Sequence, residues 1–180
     1  MEKTTNRTRD VLLVWLFLFF GLLISKNALS QSQRVTKTEM NPLSTWVGTW
    51  EGEGWSMDEQ MQKQTFQLVE EVESKIDGLA IAMDAKGVNA QGAISHHAYG
   101  LVMYDIDRMA FIIQSLTKDG YVMRSEGKLD AGILSWQVDV PHGQLRYSIQ
   151  VKGNEWIEKG AYSEDGSTWW PFMEFKMTKK

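Results

Sequence analysis

The chain contains no cysteine, and this absence excludes several kinds of protein. Without thiols there is no disulfide framework, no thiolate metal site, no cysteine nucleophile and no lipid anchor on an N-terminal cysteine. Proline is also scarce, with 3 residues among 180, and the 15 glycines follow no collagen-like period. The stability of the protein must therefore come from a packed core.

Positive charge does not dominate either. Lysine and arginine total 19 against 23 acidic residues, which gives a formal net charge of −4 at pH 7. A nucleic-acid-binding protein usually carries a clustered basic footprint, so nucleic acid is not an expected partner. The sequence also has no Gly-x-Ser-x-Gly elbow, no His-Glu-x-x-His motif and no phosphate loop, and it offers no catalytic residue. Enzymatic activity is left open, with a binding protein favoured.

Aromatic residues, in contrast, are abundant. The chain has 8 Trp, 7 Phe and 5 Tyr, and 43% of its residues are hydrophobic. Such a chain buries far more apolar surface than a disordered one can, and its length corresponds to about one domain. We therefore expect a single globular domain.

The N-terminal segment has the pattern of a targeting sequence. Lys3 and Arg7 precede an uncharged apolar run over 11–24, and the small residues Ala28 and Ser30 follow it. As a helix the run spans about 21 Å, against about 30 Å of membrane hydrocarbon. These features predict a secretory signal peptide over 1–30; an uncleaved N-terminal anchor is the alternative. Either way we expect an exported protein, periplasmic or extracellular, whose membrane contact is limited to this segment.

The rest of the chain alternates strand and turn patterns. Asp-Gly and Gly-Asn pairs, typical of tight hairpins, recur about every 11 to 13 residues after Asp105. Between these turns, apolar and polar residues alternate: Leu145, Tyr147 and Ile149 share one face of a strand, and Arg146 lies on the other. About ten strands are predicted over 48–56, 64–75, 78–85, 93–104, 109–117, 120–128, 132–140, 144–152, 155–163 and 168–178.

We expect these strands to form an all-β, antiparallel, up-and-down barrel, because closure removes the two open edges of a flat sheet. A two-sheet sandwich is the main rival, but it needs a long crossover, and none follows Asp105. The predicted domain covers 41–180 after a polar linker over 31–40. Within it, 41–47 is expected to form a short helical cap at one barrel end. The stretch 57–63 fits either a strand end or a short lid helix.

The opening of the first strand resembles that of calycin-type barrels. This strand opens with Gly48, Trp50, Gly52 and Gly54, which occupy every second position and therefore share one face. Lipocalins and fatty-acid-binding proteins begin with a similar Gly-x-Trp, and nitrobindin-like haem barrels with Gly-x-Trp-x-Gly-x-Gly. The hairpin over 162–169 also resembles an uncharacterised lipocalin-like family of secreted bacterial proteins. The resemblance implies a barrel whose internal cavity holds a small, largely apolar ligand.

The four residues of this motif are assigned structural roles. Glycines on either side of an indole let the strand coil sharply and let opposite walls approach its backbone. We expect Trp50 to plug the closed end of the barrel. In lipocalins a basic residue of the last strand packs on this tryptophan, and Lys176 or Lys179 is the candidate here.

Charged and aromatic residues on the strands provide the candidates for ligand binding. An interior arginine would suit a carboxylate ligand, and Glu158 is a charged residue on an otherwise apolar face. The predicted ligand-binding residues are Trp55, His97, Tyr99, Met103, Arg124, Trp136, Arg146, Glu158, Tyr162 and Trp170.

The histidines do not assemble a metal site. His96 and His97 are adjacent, so on a strand they point to opposite faces, and His142 lies in a turn. The nitrobindin-like resemblance needs a proximal histidine near the end of the chain, but 155–180 contains none. No metal or cofactor is therefore expected; haem, held by His96 or His97, is the alternative.

Taken together, the sequence predicts an exported protein that holds a small hydrophobic or amphipathic molecule inside a β-barrel. Two alternatives stay open: a haem-binding barrel with isomerase or peroxidase-like activity, and a ligand-free structural or interaction module of the cell envelope. An interior of several hundred Å³, roughly the volume of ordinary ligand pockets, would favour the binding protein. The sequence indicates neither the ligand nor the oligomeric state.

Overall fold

The structure is a computed structural model that describes residues 35–58 and 60–180. The predicted signal peptide and the first part of the predicted linker lie outside these ranges. No helix within them combines the length and the apolar character that crossing a bilayer would require.

The described chain is almost entirely β-structure. A short helix, α1 (Lys37–Met40), and a 3₁₀ helix (Asn41–Trp46) precede the strands, and a second 3₁₀ helix spans Ile76–Gly78. The ten strands are β1 (Gly48–Met57), β2 (Lys63–Lys75), β3 (Ala80–Val88), β4 (Ile94–Asp105), β5 (Ala110–Thr117), β6 (Val122–Asp130), β7 (Ile133–Val140), β8 (Gly143–Lys152), β9 (Glu155–Ser163) and β10 (Trp170–Lys179).

The sheet is a closed antiparallel barrel, as predicted, and not a sandwich. Each strand pairs with its neighbours in sequence, and β1 pairs with β10 to complete the ring. The closing register runs from Trp50 opposite Lys179 to Ser56 opposite Met173. Because β1 and β10 satisfy each other's hydrogen bonds, the sheet has no open edge.

The N-terminal helical segment follows from local capping chemistry. Thr36 caps α1 in a reciprocal capping box with Glu39, and the 3₁₀ helix continues directly from it with proline in its first turn. Leu43 and Trp46 of the 3₁₀ helix are buried. The predicted cap is therefore helical, and α1 extends helical structure into the stretch expected to be a linker.

The connection between β1 and β2 is a turn in the residues described. The carboxylate of Asp58 accepts hydrogen bonds from the backbone N–H groups of Gln60 and Gln62 and from the side chain of Gln64. Of the two alternatives for 57–63, the structure agrees with the strand end: β1 ends at Met57, β2 begins at Lys63, and the described residues between them form no helix.

A cluster of three indoles closes the end of the barrel near the 3₁₀ helix. Trp156 lies 5.1 Å from Trp46 and 5.3 Å from Trp50 between ring centroids, and all three are buried. The Trp50 indole N–H donates to the Trp46 carbonyl at 2.7 Å. Lys179 Nζ lies 5.2 Å from the centroid of the Trp50 ring and donates to the Thr45 carbonyl at 2.9 Å. Trp50 is thus the expected plug, and Lys179 is the basic residue that packs on it.

Gly52 lies at the seam between β1 and β10, opposite Met177. A Cβ added there would sit 1.9 Å from the Lys176 carbonyl oxygen and 2.7 Å from the Met177 Cα, both backbone atoms. Backbone cannot move aside as a flexible side chain can, so this position needs glycine.

We predict that Gly52→Ala destabilises the protein by roughly 3 kcal/mol, because the methyl group would separate β1 from β10. Urea unfolding followed by tryptophan fluorescence would measure the loss. Gly100→Ala is the matched control, since its Cβ would meet chiefly the mobile Met83 Cε at 2.9 Å, and it should cost less than about 1 kcal/mol. Equal stability of the two variants would contradict this account of the seam.

Candidate functional site

A cavity of about 620 Å³ occupies the barrel and opens at the end opposite the indole cluster. Asp58 and Gln60 of the β1–β2 turn and 118–121 of the β5–β6 turn border its mouth. The cavity exists because many inward positions along β3 to β5 carry small side chains, such as Ala85, Ala98 and Ser115.

One wall of the cavity is aromatic. The Trp136 and Tyr147 rings are stacked, with centroids 5.3 Å apart and planes 12° from parallel, and Phe172 meets Tyr147 edge-on at 5.6 Å. A bulge between Pro171 and Met173 shifts the register of β10 against β9. Phe172 and Met173 consequently both line the cavity, although they are adjacent in sequence.

His96 lies on another wall, between two phenyl rings. Its imidazole is stacked on Phe66 at 5.4 Å and meets Phe175 edge-on at 5.0 Å. Burial and, in smaller measure, the neighbouring His97 together lower the pKa of His96 to about 4. The His96 side chain is therefore neutral at physiological pH.

Two carboxylates face the same interior. Glu70 follows Phe66 and Leu68 on the inward face of β2 and is only 3% exposed. Glu158 lies on the inward face of β9, paired with Phe175 on one side and Ile149 on the other. Both glutamates line the cavity.

Burial shifts the acidity of both groups in the same direction. Loss of hydration raises the pKa of Glu158 to about 7, while the nearby Trp156 side chain favours the charged form and offsets part of that rise. The pKa of Glu70 lies well above its usual range because of burial first, and then because of the charges of Glu158 and Asp84. Oε2 of Glu70 has no hydrogen-bond partner among the described residues.

Tyr147 adds a hydroxyl close to this pair. Its O–H donates to the Met123 sulfur at 3.7 Å, a weak acceptor. Burial raises the pKa of Tyr147 to about 12, with a further contribution from the charge of Glu158. The hydroxyl thus stays protonated and can donate a hydrogen bond to a ligand.

The structure brings three of the ten predicted ligand-binding residues to the cavity: His97, Trp136 and Glu158. Of these, His97 only borders the cavity at its rim: it alternates with the inward-facing His96 on β4, and its imidazole lies 2.9 Å from Asp84. The other seven do not line the cavity: Trp55, Tyr99, Met103, Arg124, Arg146, Tyr162 and Trp170.

Strand alternation explains where most of these seven lie. On β1 the inward face carries Trp50, Gly52 and Gly54, so Trp55 points outward, where Lys63 Nζ lies 4.3 Å from its ring. Tyr99 and Met103 alternate with inward-facing residues of β4 such as Val102, which is fully buried. Neighbours in sequence on a strand cannot both face the cavity without a bulge.

The two arginines likewise lie on the outer surface. Arg124 is exposed, and Arg146 packs its guanidinium over the Trp169 ring at 4.2 Å. Tyr162 shares the inward parity of β9 but lies beyond the cavity at the barrel rim, where its hydroxyl donates to the His142 carbonyl. Trp170 is 50% exposed. Among the described residues, no arginine therefore lies where it could pair with a carboxylate bound in the cavity.

Sequence reasoning did not name Glu70 or Tyr147 as ligand-binding residues, and it named His96 only as an alternative haem ligand. The pattern did contain a signal for Glu70, since it occupies alternate positions of the strand with the apolar residues Phe66, Leu68 and Val72. An acid in an apolar series of this kind marks either a strand edge or a functional interior group.

We predict that Glu158→Gln stabilises the protein at high pH. In the folded protein Glu158 keeps its proton up to a pKa of about 7, against 4.5 ordinarily. Between these values the folded state binds more protons than the unfolded state, so stability falls as pH rises. The variant should be more stable than the wild type by about 1–3 kcal/mol near pH 8, with little difference near pH 5.

Urea unfolding at both pH values would measure this difference, with exposed Glu155→Gln as the control on the same strand. The comparison must be between variants, because His96 contributes an opposite trend: its lowered pKa costs stability as pH falls from 6.5 to about 4. A stability difference for Glu158→Gln that does not change with pH would contradict the prediction.

The fold has counterparts among solved structures, although no family model and no curated protein matches the sequence. Rv2717c from M. tuberculosis is similar with a TM-score of 0.60 and 11% identity, over 79% of this chain and 97% of that one. The S-type phycobiliprotein lyase CPES from Guillardia theta is similar with a TM-score of 0.52 and 9% identity, over 82% and 94%. At such identities the similarity concerns the fold alone, which is a closed, ten-stranded antiparallel barrel.

Proposed function

We propose that this protein binds a small, largely apolar molecule inside its barrel. The observation that carries the proposal is the cavity of about 620 Å³, which is closed by indoles at one end and open at the other. Barrels of this strand number can enclose one small ligand, and the volume lies within the usual range of ligand pockets.

The walls supply the driving force for binding. Met83, Ile113, Trp136 and Phe172 present carbon to the cavity, and each Å² of apolar surface that a ligand covers contributes roughly 25 cal/mol. The aromatic side chains also offer flat faces, against which a ring system packs with favourable geometry. A ligand with an aromatic or polycyclic body suits this wall.

Hydroxyl groups between the apolar residues would orient the ligand. Thr117 faces the cavity, and its buried Oγ1 has no hydrogen-bond partner among the described residues. A buried hydroxyl without a partner costs free energy, which a polar group of the ligand would recover. The Tyr147 hydroxyl is a second such anchor, because its present acceptor is only a thioether.

The cavity also bears on the two alternatives. A purely structural module would fill its barrel with its own side chains, whereas this interior keeps its volume beside the aromatic wall. For haem, His96 is the histidine with an inward side chain. An axial histidine normally turns one ring nitrogen to the iron and donates the other N–H to a partner, whereas the His96 ring packs between the apolar rings of Phe66 and Phe175. The residues thus do not fit haem, and we do not propose it.

We predict that Ser115→Phe abolishes binding of an uncharged fluorescent probe, N-phenylnaphthylamine, because Ser115 faces the cavity and a phenyl ring there would occupy it. Probe fluorescence would measure a loss of affinity of at least about tenfold. Ser135→Phe is the matched control, since Ser135 is exposed on the outer face of β7. Equal binding by both variants would place the probe elsewhere, and no binding by the wild type would count against the proposal.

We also propose that the domain is exported, on the pattern of residues 1–30 described above. An exported barrel without cysteine folds independently of the redox state of its compartment, which is compatible with export. Cell fractionation of a bacterium expressing the full chain should recover the barrel outside the cytoplasm, whereas a chain lacking residues 1–30 should stay inside. Cytoplasmic recovery of both forms would overturn the export proposal.

A further inference from the structure

Among the residues that the structure describes, the interior of the cavity holds two acidic groups, Glu70 and Glu158, and no cation that balances them. Among the described residues that line it, Lys118 is the one lysine or arginine, and it lies in the mouth, where it pairs with Asp119 at 2.8 Å. Glu70 and Glu158, in contrast, belong to strands whose inward faces are otherwise apolar. The interior therefore discriminates between ligands by their charge as well as by their shape.

Glu70 is the more strongly buried of the two acids. Only 3% of Glu70 is exposed to solvent, and its Oε2 has no hydrogen-bond partner among the described residues. Its cross-strand neighbours are Trp50 and Ala85. The Trp50 indole N–H already donates to the Trp46 carbonyl, and the Ala85 side chain has no donor. A carboxylate oxygen in such a position is an acceptor without a donor, which is costly unless something else supplies one.

The surroundings of the pair do not supply a positive charge. Asp84 acts on Glu70 with the same sign of charge. Around Glu158 the polar neighbours are the Trp156 indole and the Tyr147 hydroxyl, which are neutral, and His96 on β4 is neutral as well. Each carboxylate therefore lacks the partner that buried charges in proteins usually have.

This inference rests on the proposed function and names the chemical class of the ligand. We propose that the ligand is an amphipathic cation: its protonated amine is held by Glu70 and Glu158, and its apolar body lies against the wall formed by Trp136, Tyr147 and Phe172. The amine donates hydrogen bonds to the carboxylates, and its charge compensates theirs in a site with little water.

The same features disfavour two other classes. A fatty acid or another carboxylate would bring its negative charge beside two acids that already oppose each other's ionisation, while Arg124 and Arg146 lie outside the interior. A metal ion would need more ligands than two carboxylates, and no group of three or more His, Asp or Glu suited to a metal exists in the described part of the chain.

The test compares three naphthalene derivatives of nearly equal size, which carry an aminomethyl, a hydroxymethyl or a carboxylate group. Isothermal titration calorimetry at about neutral pH would measure their affinities for the wild-type protein. We expect the amine to bind at least about tenfold more tightly than the alcohol, and the carboxylate to bind most weakly.

Variants then assign the preference to the two acids. Glu70→Gln combined with Glu158→Gln should bring the amine down to the affinity of the alcohol, while leaving the alcohol nearly unchanged. Glu71→Gln is the matched control, because Glu71 follows Glu70 on β2 but is exposed on the outer face. If the double variant does not fold, the single variants and the order of the three wild-type affinities decide the matter.

The outcomes separate this inference from the proposed function. If the alcohol binds the wild type and Ser115→Phe blocks it, but the amine binds no more tightly, the cation proposal is overturned and the cavity keeps its binding role. An amine preference that survives in the double variant also overturns the assignment to Glu70 and Glu158. If neither the three compounds nor N-phenylnaphthylamine binds the wild type, both proposals are wrong.

Discussion

Pairing of the first strand with the last is the constraint on which the rest of this structure depends. Once β1 and β10 close the ring, every second residue of each strand points inward. The position of a residue along its strand therefore decides whether its side chain lies inside the barrel. Gly52 allows the two strands to approach at this seam, and the three indoles of Trp46, Trp50 and Trp156 fill the end beside it. The opposite end is left open by smaller side chains, so closure creates both the core and the cavity.

The cavity is a compromise between stability and binding. Its acids, Glu70 and Glu158, keep raised pKa values because hydration is lost, and each therefore makes the folded state less stable at high pH than an amide would. Thr117 and Tyr147 likewise present hydroxyls that find no good partner within the protein. Groups that are unfavourable for folding but face a shared space are typical of binding sites, where a ligand supplies the missing interactions.

Much of the fold could be predicted from local patterns. Turn residues such as Gly153 and Asp165 mark the hairpins, and side-chain alternation gives the strands between them, since both depend on neighbours a few residues apart. The site was harder to predict. Arg124 and Arg146 were attractive partners for a carboxylate, but both face outward, whereas Glu70 was overlooked within a regular apolar series. A residue's type indicates its chemistry and does not indicate which face of the sheet becomes the interior.

The sequence by itself determined the all-β character, the number of strands and the hairpin order, because these depend on local alternation and on turn residues. The resemblance to lipocalins also named Lys176 or Lys179 as the partner of Trp50, and the structure places Lys179 over its ring. Only the tertiary structure decided which face of each strand encloses the cavity and that Glu70, Glu158, His96 and Tyr147 share it. These residues come from four different strands, and the distances between them are set by the closure and register of the whole ring, which no local pattern records.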